Sequence, residues 1–467
     1  MPVEISRRQF LRMSGAVAAA SVLGSCGKDS GLVSGAPPNI IFFLADDQRN
    51  DTLGCTGDRI VKTPRIDALA SAGTIFENMF VTTSICPSSR ATIFTGVTET
   101  KHRFTFGTPP LSKFLCQSSY PALLKKAGYH TGVIGKFGVA MDGDIQKTFV
   151  DQFEDRDRPY TQIMPDGTKK HIDEINVESA LKYLKGCQSG QPFLLSLNFS
   201  SPHAEDSDRE HQYHPIDWAK DMYADVVFPP PKINDKEYFE TQPDFLKHSM
   251  NRERYMWRFD TPEKYQKNMR DYYRMLSGVD HMVGIVIDEL ARLNLLDNSV
   301  VFYAADNGYY MGDRGFADKF THYEESLRVP LIMADFRPHR AAPTKVGEMA
   351  LNVDIPATFL ELAGVDRPAH YQGRSLLSLV NRTSMQGWRK DFFCQHTMNE
   401  PTIPKWVGVR SERYMYACYY EQSPPFEFLH DLVKDPTEFK NLASDPAYAS
   451  ALSEQRARCD ALRQSLS

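Results

Sequence analysis

The sequence predicts an α/β fold: a mostly parallel sheet with helices on both faces, and a smaller C-terminal α+β subdomain built on an antiparallel sheet. Three observations predict it. Short, near-continuous apolar runs recur along the chain, as strands buried on both faces require. Segments with helical spacing lie between these runs. After about residue 340 the pattern changes to one helix followed by four short strand-like runs.

The buried strands are read at Asn39–Ala45, Thr131–Gly135, Phe193–Phe199, Val300–Ala305 and Val329–Met333. Pro64–Ala72 reads as a helix with proline at its first position and Gly73 beyond its end. Pro121–Ala127 stops before Gly128 in the same way, and Glu174–Leu184 stops before Gly186. Tyr265–Leu296 carries apolar residues at every third or fourth position and predicts a long helix. Ala204–Pro262 is rich in Asp, Glu, His, Pro, Tyr and Trp and shows no period, which predicts a long functional loop. Val353–Ala363 predicts a helix stopped by Gly364. The runs Phe392–Cys394, Trp406–Arg410, Arg413–Tyr420 and Glu427–Asp431 predict the antiparallel sheet.

The chain has 467 residues, of which 42% are hydrophobic and 24% charged, as in an ordinary globular protein. Its net charge of -5 lacks the basic excess of a nucleic-acid binder. Eight cysteines are too few for a disulfide scaffold, and no C-x-x-C pair suggests a zinc ribbon.

The first residues read as an address. Arg7-Arg8 precede Phe10-Leu11, an apolar run spans Ala16–Leu23, and Leu23-Gly24-Ser25-Cys26 follows. This resembles a twin-arginine signal joined to a lipobox, so export machinery is an expected partner. The mature protein is expected outside the cytoplasm, periplasmic or at the cell surface, with Cys26 as a lipid anchor. No later run is long and apolar enough for a transmembrane helix. The expected organisation is a leader at 1–25, a tether at 26–38, a main domain at 39–340 and a subdomain at 341–467. Loss of the leader shifts the net charge to -7, since it holds three arginines and one glutamate.

Polar residues follow the predicted strands at their carboxyl ends, where open α/β sheets form ligand sites. Asp46-Asp47 follow the first strand, Lys136 the second, His203 the third and Asp306-Asn307 the fourth. Asp46, Asp47, Asp306 and Asn307 offer oxygen donors suited to a hard cation, calcium or magnesium. Adjacent carboxylates at a strand end repel unless a cation lies between them. Cys86-Pro87-Ser88-Ser89-Arg90 precedes Thr95-Gly96. Here Ser88 is read as the cap of a helix over 89–94, with Cys86 just before the helix and Arg90 in its first turn as an oxyanion fork.

These motifs resemble the type I, formylglycine-dependent sulfatases of the alkaline-phosphatase-like superfamily, and specifically bacterial glycan sulfatases. The resemblance rests on Cys86 to Gly96, on Pro38-Asn39 leading into Asp46-Asp47, and on Thr63-Pro64-Arg65. It continues through Gly135-Lys136, Ser201-Pro202-His203, Asp306-Asn307-Gly308, Asp318-Lys319, Tyr323 to Pro330 and His430-Asp431 with Asp435-Pro436. It implies a large mixed, mostly parallel sheet in a catalytic domain. It also implies that a maturation enzyme converts Cys86 to Cα-formylglycine, whose diol sits on one calcium ion held by Asp46, Asp47, Asp306 and Asn307. Arg90, Lys136 and Lys319 would then bind sulfate oxygens, and His203 or Lys319 would protonate the leaving alcohol of a sulfated carbohydrate. A phosphonate or phosphate monoester hydrolase of the same superfamily, or a catalytically silent glycan-binding relative, is the alternative.

Three positions depart from the family pattern. Ser88 stands where proline or alanine is usual, and Gly138 stands where a histidine is usual. His102, His171 and His322 are the candidate substitutes for that imidazole. Arg314 replaces a common histidine, with contact to an anionic substrate or a surface position as its two readings.

Overall fold

A computed structural model describes residues 36–467, apart from 144–145, 188–189, 235, 339, 384–385 and 467. The expectations on the leader, on Cys26 and on the tether up to residue 35 lie outside the described residues.

Eight strands form one sheet. In chain order they are β1 (Asn39–Ala45), β2 (Thr74–Phe80), β3 (His130–Gly135), β4 (Gln152–Asp155), β5 (Phe193–Asn198), β6 (Ser299–Ala305), β7 (Leu331–Asp335) and β8 (Thr344–Leu351). Their spatial order is β8-β2-β7-β6-β1-β5-β3-β4. Only β7 runs antiparallel to its neighbours, so the sheet is mixed and mostly parallel. The central β1, β5 and β6 are buried at every residue, which is why they read as unbroken apolar runs.

Helices cover both faces. On one lie α1 (Pro64–Ala72), α3 (Ile172–Gly186) and the long α4 (Pro262–Arg292); on the other lie α2 (Cys86–Thr95) and α5 (Asp354–Leu362). Phe359 of α5 packs edge-on against Phe42 of β1 at 5.4 Å and Phe302 of β6 at 4.9 Å between ring centroids. On the opposite face the buried Asp280 of α4 accepts the backbone N–H groups of Arg65 and Ile66 at 2.9 and 2.8 Å. Those are free donors at the start of α1, so one carboxylate caps one helix from another.

Several expectations need correction. The strand expected at Val329–Met333 begins at Leu331, because Pro330 has no N–H to give to a ladder. The boundary expected after residue 340 does not separate the two sheets: β8 pairs with β2 in the large sheet, and α5 packs beneath that sheet. The second sheet starts at Asp391. The stretch 204–262 is not one loop. It holds short helices at Lys236–Thr241, Asp244–Lys247 and Met250–Arg258, too brief to reveal a period.

The C-terminal sheet is antiparallel in the order β9 (Asp391–His396), β10 (Trp406–Ser411), β11 (Tyr414–Tyr419) and β12 (Phe426–Asp431). A helix the sequence reading did not anticipate, α6 (Ala449–Leu466), buries Leu452 and Cys459 against Phe393, Val409, Tyr416 and Leu429. Cys55, Cys116, Cys187, Cys394, Cys418 and Cys459 are free thiols, as is Cys86. No helix among the described residues is long and apolar enough to cross a membrane.

His322 and His430 are buried together, with their Nε2 atoms 3.4 Å apart; His322 Nδ1 lies 2.9 Å from the Tyr419 hydroxyl. Burial, and then the nearby Arg314 charge, push the His430 pKa from 6.5 down to about 3. The folded chain therefore binds fewer protons here than the unfolded one. The associated stability is intact above pH 6.5 and is lost as the pH falls below it. Urea unfolding is expected to show a loss of about 2 kcal/mol for this group between pH 7 and 5, most of it below pH 6.5. The loss should be smaller in His430→Gln; identical slopes would contradict the assignment.

Candidate active site

The sheet register builds the site. Ala45 pairs with Ala305 at the end of β1 and β6, so Asp46 and Asp306 emerge side by side. Gly135 of β3 pairs with Asn198 of β5, so Lys136 emerges on the same rim. Gly135 has φ +92°, and a Cβ there would lie 2.0 Å from the Asn198 carbonyl oxygen, so no larger residue fits. Asp47 has φ +61°, a strained conformation for a non-glycine residue. The Tyr272 hydroxyl holds it by donating to the Asp47 carbonyl at 2.8 Å.

Asp46, Asp47 and Asp306 are all fully buried. Cations meet them one by one. Lys136 Nζ donates to Asp46 Oδ2, Lys319 Nζ to Asp47 Oδ1 at 2.5 Å, and Arg90 Nε to Asp306 Oδ2 at 2.7 Å. Burial raises the pKa of Asp46, but Lys136, His203 and Arg90 outweigh it and hold the group well below the usual range. For Asp47 burial wins, helped by the charge of Asp46, and the pKa rises to about 7. Burial likewise lifts Asp306 to about 6. Burial opposes charge on Lys319, yet Asp47 beside it holds that ammonium well above its ordinary pKa.

Cys86 is the first residue of α2, whose ten residues are all buried. This corrects the expected helix start. Pro87 sits in the first turn with its fixed φ, so the helix begins before Ser88, and Ile85 is the cap residue. The Ser88 hydroxyl instead donates to the Phe104 carbonyl at 2.7 Å. Cys86 Sγ lies 3.1 Å from Asp46 Oδ1 and 3.9 Å from Asp47 Oδ1. Burial, and then Asp46, push its thiol pKa well up, so an unmodified Cys86 is a poor thiolate nucleophile.

One atom each of Asp46, Asp47, Cys86 and His203 lie within 4.8 Å of one another. The donor set fits a hard cation. Asp47 Oδ2 and Asn307 Oδ1 are buried oxygens without a hydrogen-bond partner. Such atoms are costly unless a ligand satisfies them. Asn307 Nδ2 donates to Asp47 Oδ1 at 2.5 Å, which turns the amide oxygen away from that bond.

His203 joins this cluster, with Nε2 3.4 Å from Asp47 Oδ2. Its other nitrogen meets Arg158, a residue that sequence reasoning missed. Arg158 Nη1 lies 2.5 Å from His203 Nδ1 and donates to the Ala204 carbonyl at 2.8 Å. Asp157 pairs with Arg158 at 3.1 Å and lies 3.8 Å from Lys136 Nζ. The signal was position alone: Asp157 and Arg158 follow β4, a strand too polar to be read as buried.

The substitutes expected for the imidazole missing at Gly138 are elsewhere. His102 contacts Thr92 and the Phe104 N–H, His171 the His214 carbonyl, and His322 sits in the C-terminal cluster. At Gly138 φ is +69°, and a Cβ would come within 3.6 Å of Arg90 Cδ and 3.9 Å of Lys136 Cε. Arg314 is neither on the surface nor at the catalytic cluster. It is 1% exposed and lies between Glu325 at 3.1 Å and Glu438 at 3.6 Å. It also donates to the Thr437 carbonyl at 2.6 Å and lies 3.9 Å from the Tyr323 ring centroid. Removing it leaves the buried Glu438 beside the partly buried Glu325 with no cation between them. Arg314→Met is expected to cost about 3–5 kcal/mol in urea unfolding; a cost near zero would contradict this account.

The sulfatase family model matches residues 38–365, and the model of the C-terminal region of N-sulphoglucosamine sulphohydrolase matches residues 312–465. A twin-arginine translocation signal matches residues 4–24, so the chain carries an export signal. The N-acetylglucosamine-6-O-sulfatase of Bacteroides thetaiotaomicron is 25% identical over 484 aligned residues, covering 89% of this chain and 84% of that protein. A solved structure in complex with its substrate D-glucosamine-2-N,6-O-disulfate superposes with a TM-score of 0.79 at 22% identity, covering 92% of this chain and 98% of that one. Phosphonate monoester hydrolase from Silicibacter pomeroyi shares the fold at a TM-score of 0.78 and 20% identity, covering 92% of this chain and 96% of that one. With the family model spanning most of the chain and the buried acid–cation cluster at its centre, the protein belongs to the sulfatases, hydrolases of sulfuric esters within the alkaline-phosphatase-like superfamily.

Proposed function

We propose that this sulfatase removes sulfate from a sulfated glycan, using a formylglycine made from Cys86 and one calcium ion. The observation that carries the reading is the placement of Cys86 Sγ among buried carboxylates, beside oxygens that have no hydrogen-bond partner. Asp46, Asp47, Asp306 and Asn307 would hold the ion, whose charge lowers the pKa of a neighbouring hydroxyl. The hydrated aldehyde would supply one hydroxyl for attack on sulfur and a second through which sulfate is later expelled.

The chain's own residues do the rest. Arg90 is fixed by Asp306 and by the Lys136 carbonyl, and its buried Nη2 has no partner, so it remains available to a sulfate oxygen. Lys136 and Lys319 add two ammonium groups that offset negative charge as it spreads in the transition state. His203 is oriented by Arg158. His203 Nδ1 lies 2.5 Å from both the Arg158 guanidinium and the Ala204 carbonyl, and these contacts orient the ring with Nε2 on the side of Asp47. In its imidazolium form His203 would pass the Nε2 proton to the departing alcohol oxygen, a form that burial, and then Arg158, disfavour by holding its pKa well below 6.5. Lys319, charged beside Asp47, is the other proton source.

The twin-arginine signal exports folded protein, while formylglycine forms on an unfolded segment. The maturation enzyme therefore acts in the cytoplasm, and the exported protein is tethered by lipid on Cys26. Mass spectrometry of the exported protein, made with its maturation enzyme, tests both points. Formylglycine is expected at position 86 and a lipidated Cys26 at the N-terminus; an intact Cys86 thiol in active protein would overturn the mechanism. The same sample should hydrolyse an aryl sulfate faster than the matching aryl phosphate or phosphonate. A dominant phosphonate activity would move the assignment to the superfamily's other hydrolases. Glycan binding without sulfate release, with Cys86 converted, would mark a silent relative.

A further inference from the structure

We infer that Arg209, laid flat on Trp257, is an outer subsite for a second anionic group carried by the sugar chain, a sulfate or a uronate carboxylate. The inference rests on the glycan-sulfatase reading and extends it from the scissile ester to the rest of the substrate.

The platform is built outward from the catalytic rim. Lys319 follows Asp318, whose two carboxylate oxygens are held by Arg254 and Arg258. Asp206, three residues after His203, binds the same two arginines, reaching Arg254 Nη2 at 3.0 Å. Asp318 has φ +63°, and these ion pairs hold it in that strained conformation. Arg254, Trp257 and Arg258 share the helix Met250–Arg258, so the network that positions Lys319 also fixes the indole. Arg254 lies 5.8 Å from the Trp257 ring centroid, and Arg209 lies over the same ring at 3.2 Å.

Arg209 differs from its neighbours in what it binds. Arg254 and Arg258 use their donors on Asp206 and Asp318, and Arg158 pairs with Asp157. Arg209 is exposed and makes no ion pair or side-chain hydrogen bond to any described residue. Stacking on an indole restrains a guanidinium by its face and leaves its N–H edge free. A planar fork of free donors matches the oxygens of sulfate or carboxylate. In a chain of net charge -5, an unpaired arginine held in place near the rim is suited to capture an anion rather than to balance local charge.

The test compares Arg209→Ala, Arg209→Lys and Trp257→Ala with the unaltered full-length enzyme. Calorimetry would measure binding of heparin and chondroitin sulfate tetrasaccharides, and turnover would be measured on a small aryl sulfate. Arg209→Ala is expected to raise the Kd of at least one tetrasaccharide by about tenfold. Arg209→Lys should fall between, because lysine keeps the charge but loses the fork and the stacking. Aryl sulfate turnover should change by less than about twofold, since that substrate carries no second anion. An unchanged Kd, no tetrasaccharide binding by the unaltered enzyme, or an equal loss on aryl sulfate would each overturn the inference. Failure of the unaltered enzyme to turn over aryl sulfate would instead overturn the sulfatase mechanism, and the binding arm would still stand by itself.

Discussion

Three carboxylates, Asp46, Asp47 and Asp306, are buried at the ends of two neighbouring parallel strands. Like charges so close and so far from water repel strongly. Lys136, Lys319 and Arg90 each take one acid, and much of the surrounding architecture holds these three cations in place. The parallel pairing of β1 with β6 sets the acids side by side. The pairing of β3 with β5 brings in Lys136, and α2 delivers Cys86 and Arg90 from the opposite sheet face. The balance is incomplete: two oxygens are left without partners, and burial lifts two of the three acids toward neutrality. A divalent cation would resolve both.

A second layer of buried acids supports the first. Asp173 of α3 accepts the N–H groups of Ser200 and Ser201 at 2.9 and 3.0 Å, which fixes the turn leading to His203. Asp318 is gripped by two arginines and fixes Lys319. Arg314, between Glu325 and Glu438, ties the 310–325 segment to residues 437–438 of the C-terminal subdomain. Each of these groups acts by placing another, so substitutions there should loosen the site without touching substrate.

Much of this was legible in the sequence where one physical signal dominates. β1, β5 and β6 are buried on both faces, so their composition alone reveals them, and the polar residues just beyond them mark the rim. β2 and β8 were missed because each mixes buried and exposed positions without clean alternation, as in the run Thr74–Phe80. β4 is a polar edge strand, which hid Asp157 and Arg158 behind it. α6 lies on a small sheet with only two fully buried side chains and has a weak apolar stripe. Arg314 shows the limit of reading residue type: an arginine between glycines looks like surface, and only long-range packing brings Glu325 and Glu438 to it. The resemblance to sulfatases supplied roles for Cys86 and the acids, while the orientation of the His203 ring needed the geometry of Arg158 and the Ala204 carbonyl.

The central claim is that the buried acids form the seat of one divalent ion. Calcium titration of the metal-stripped full-length protein by calorimetry tests it most directly, with Asp47→Asn measured alongside. The account predicts one calcium per chain in the unaltered protein and a loss of affinity of at least about tenfold in the variant. No binding, or equal affinity in both proteins, would contradict it.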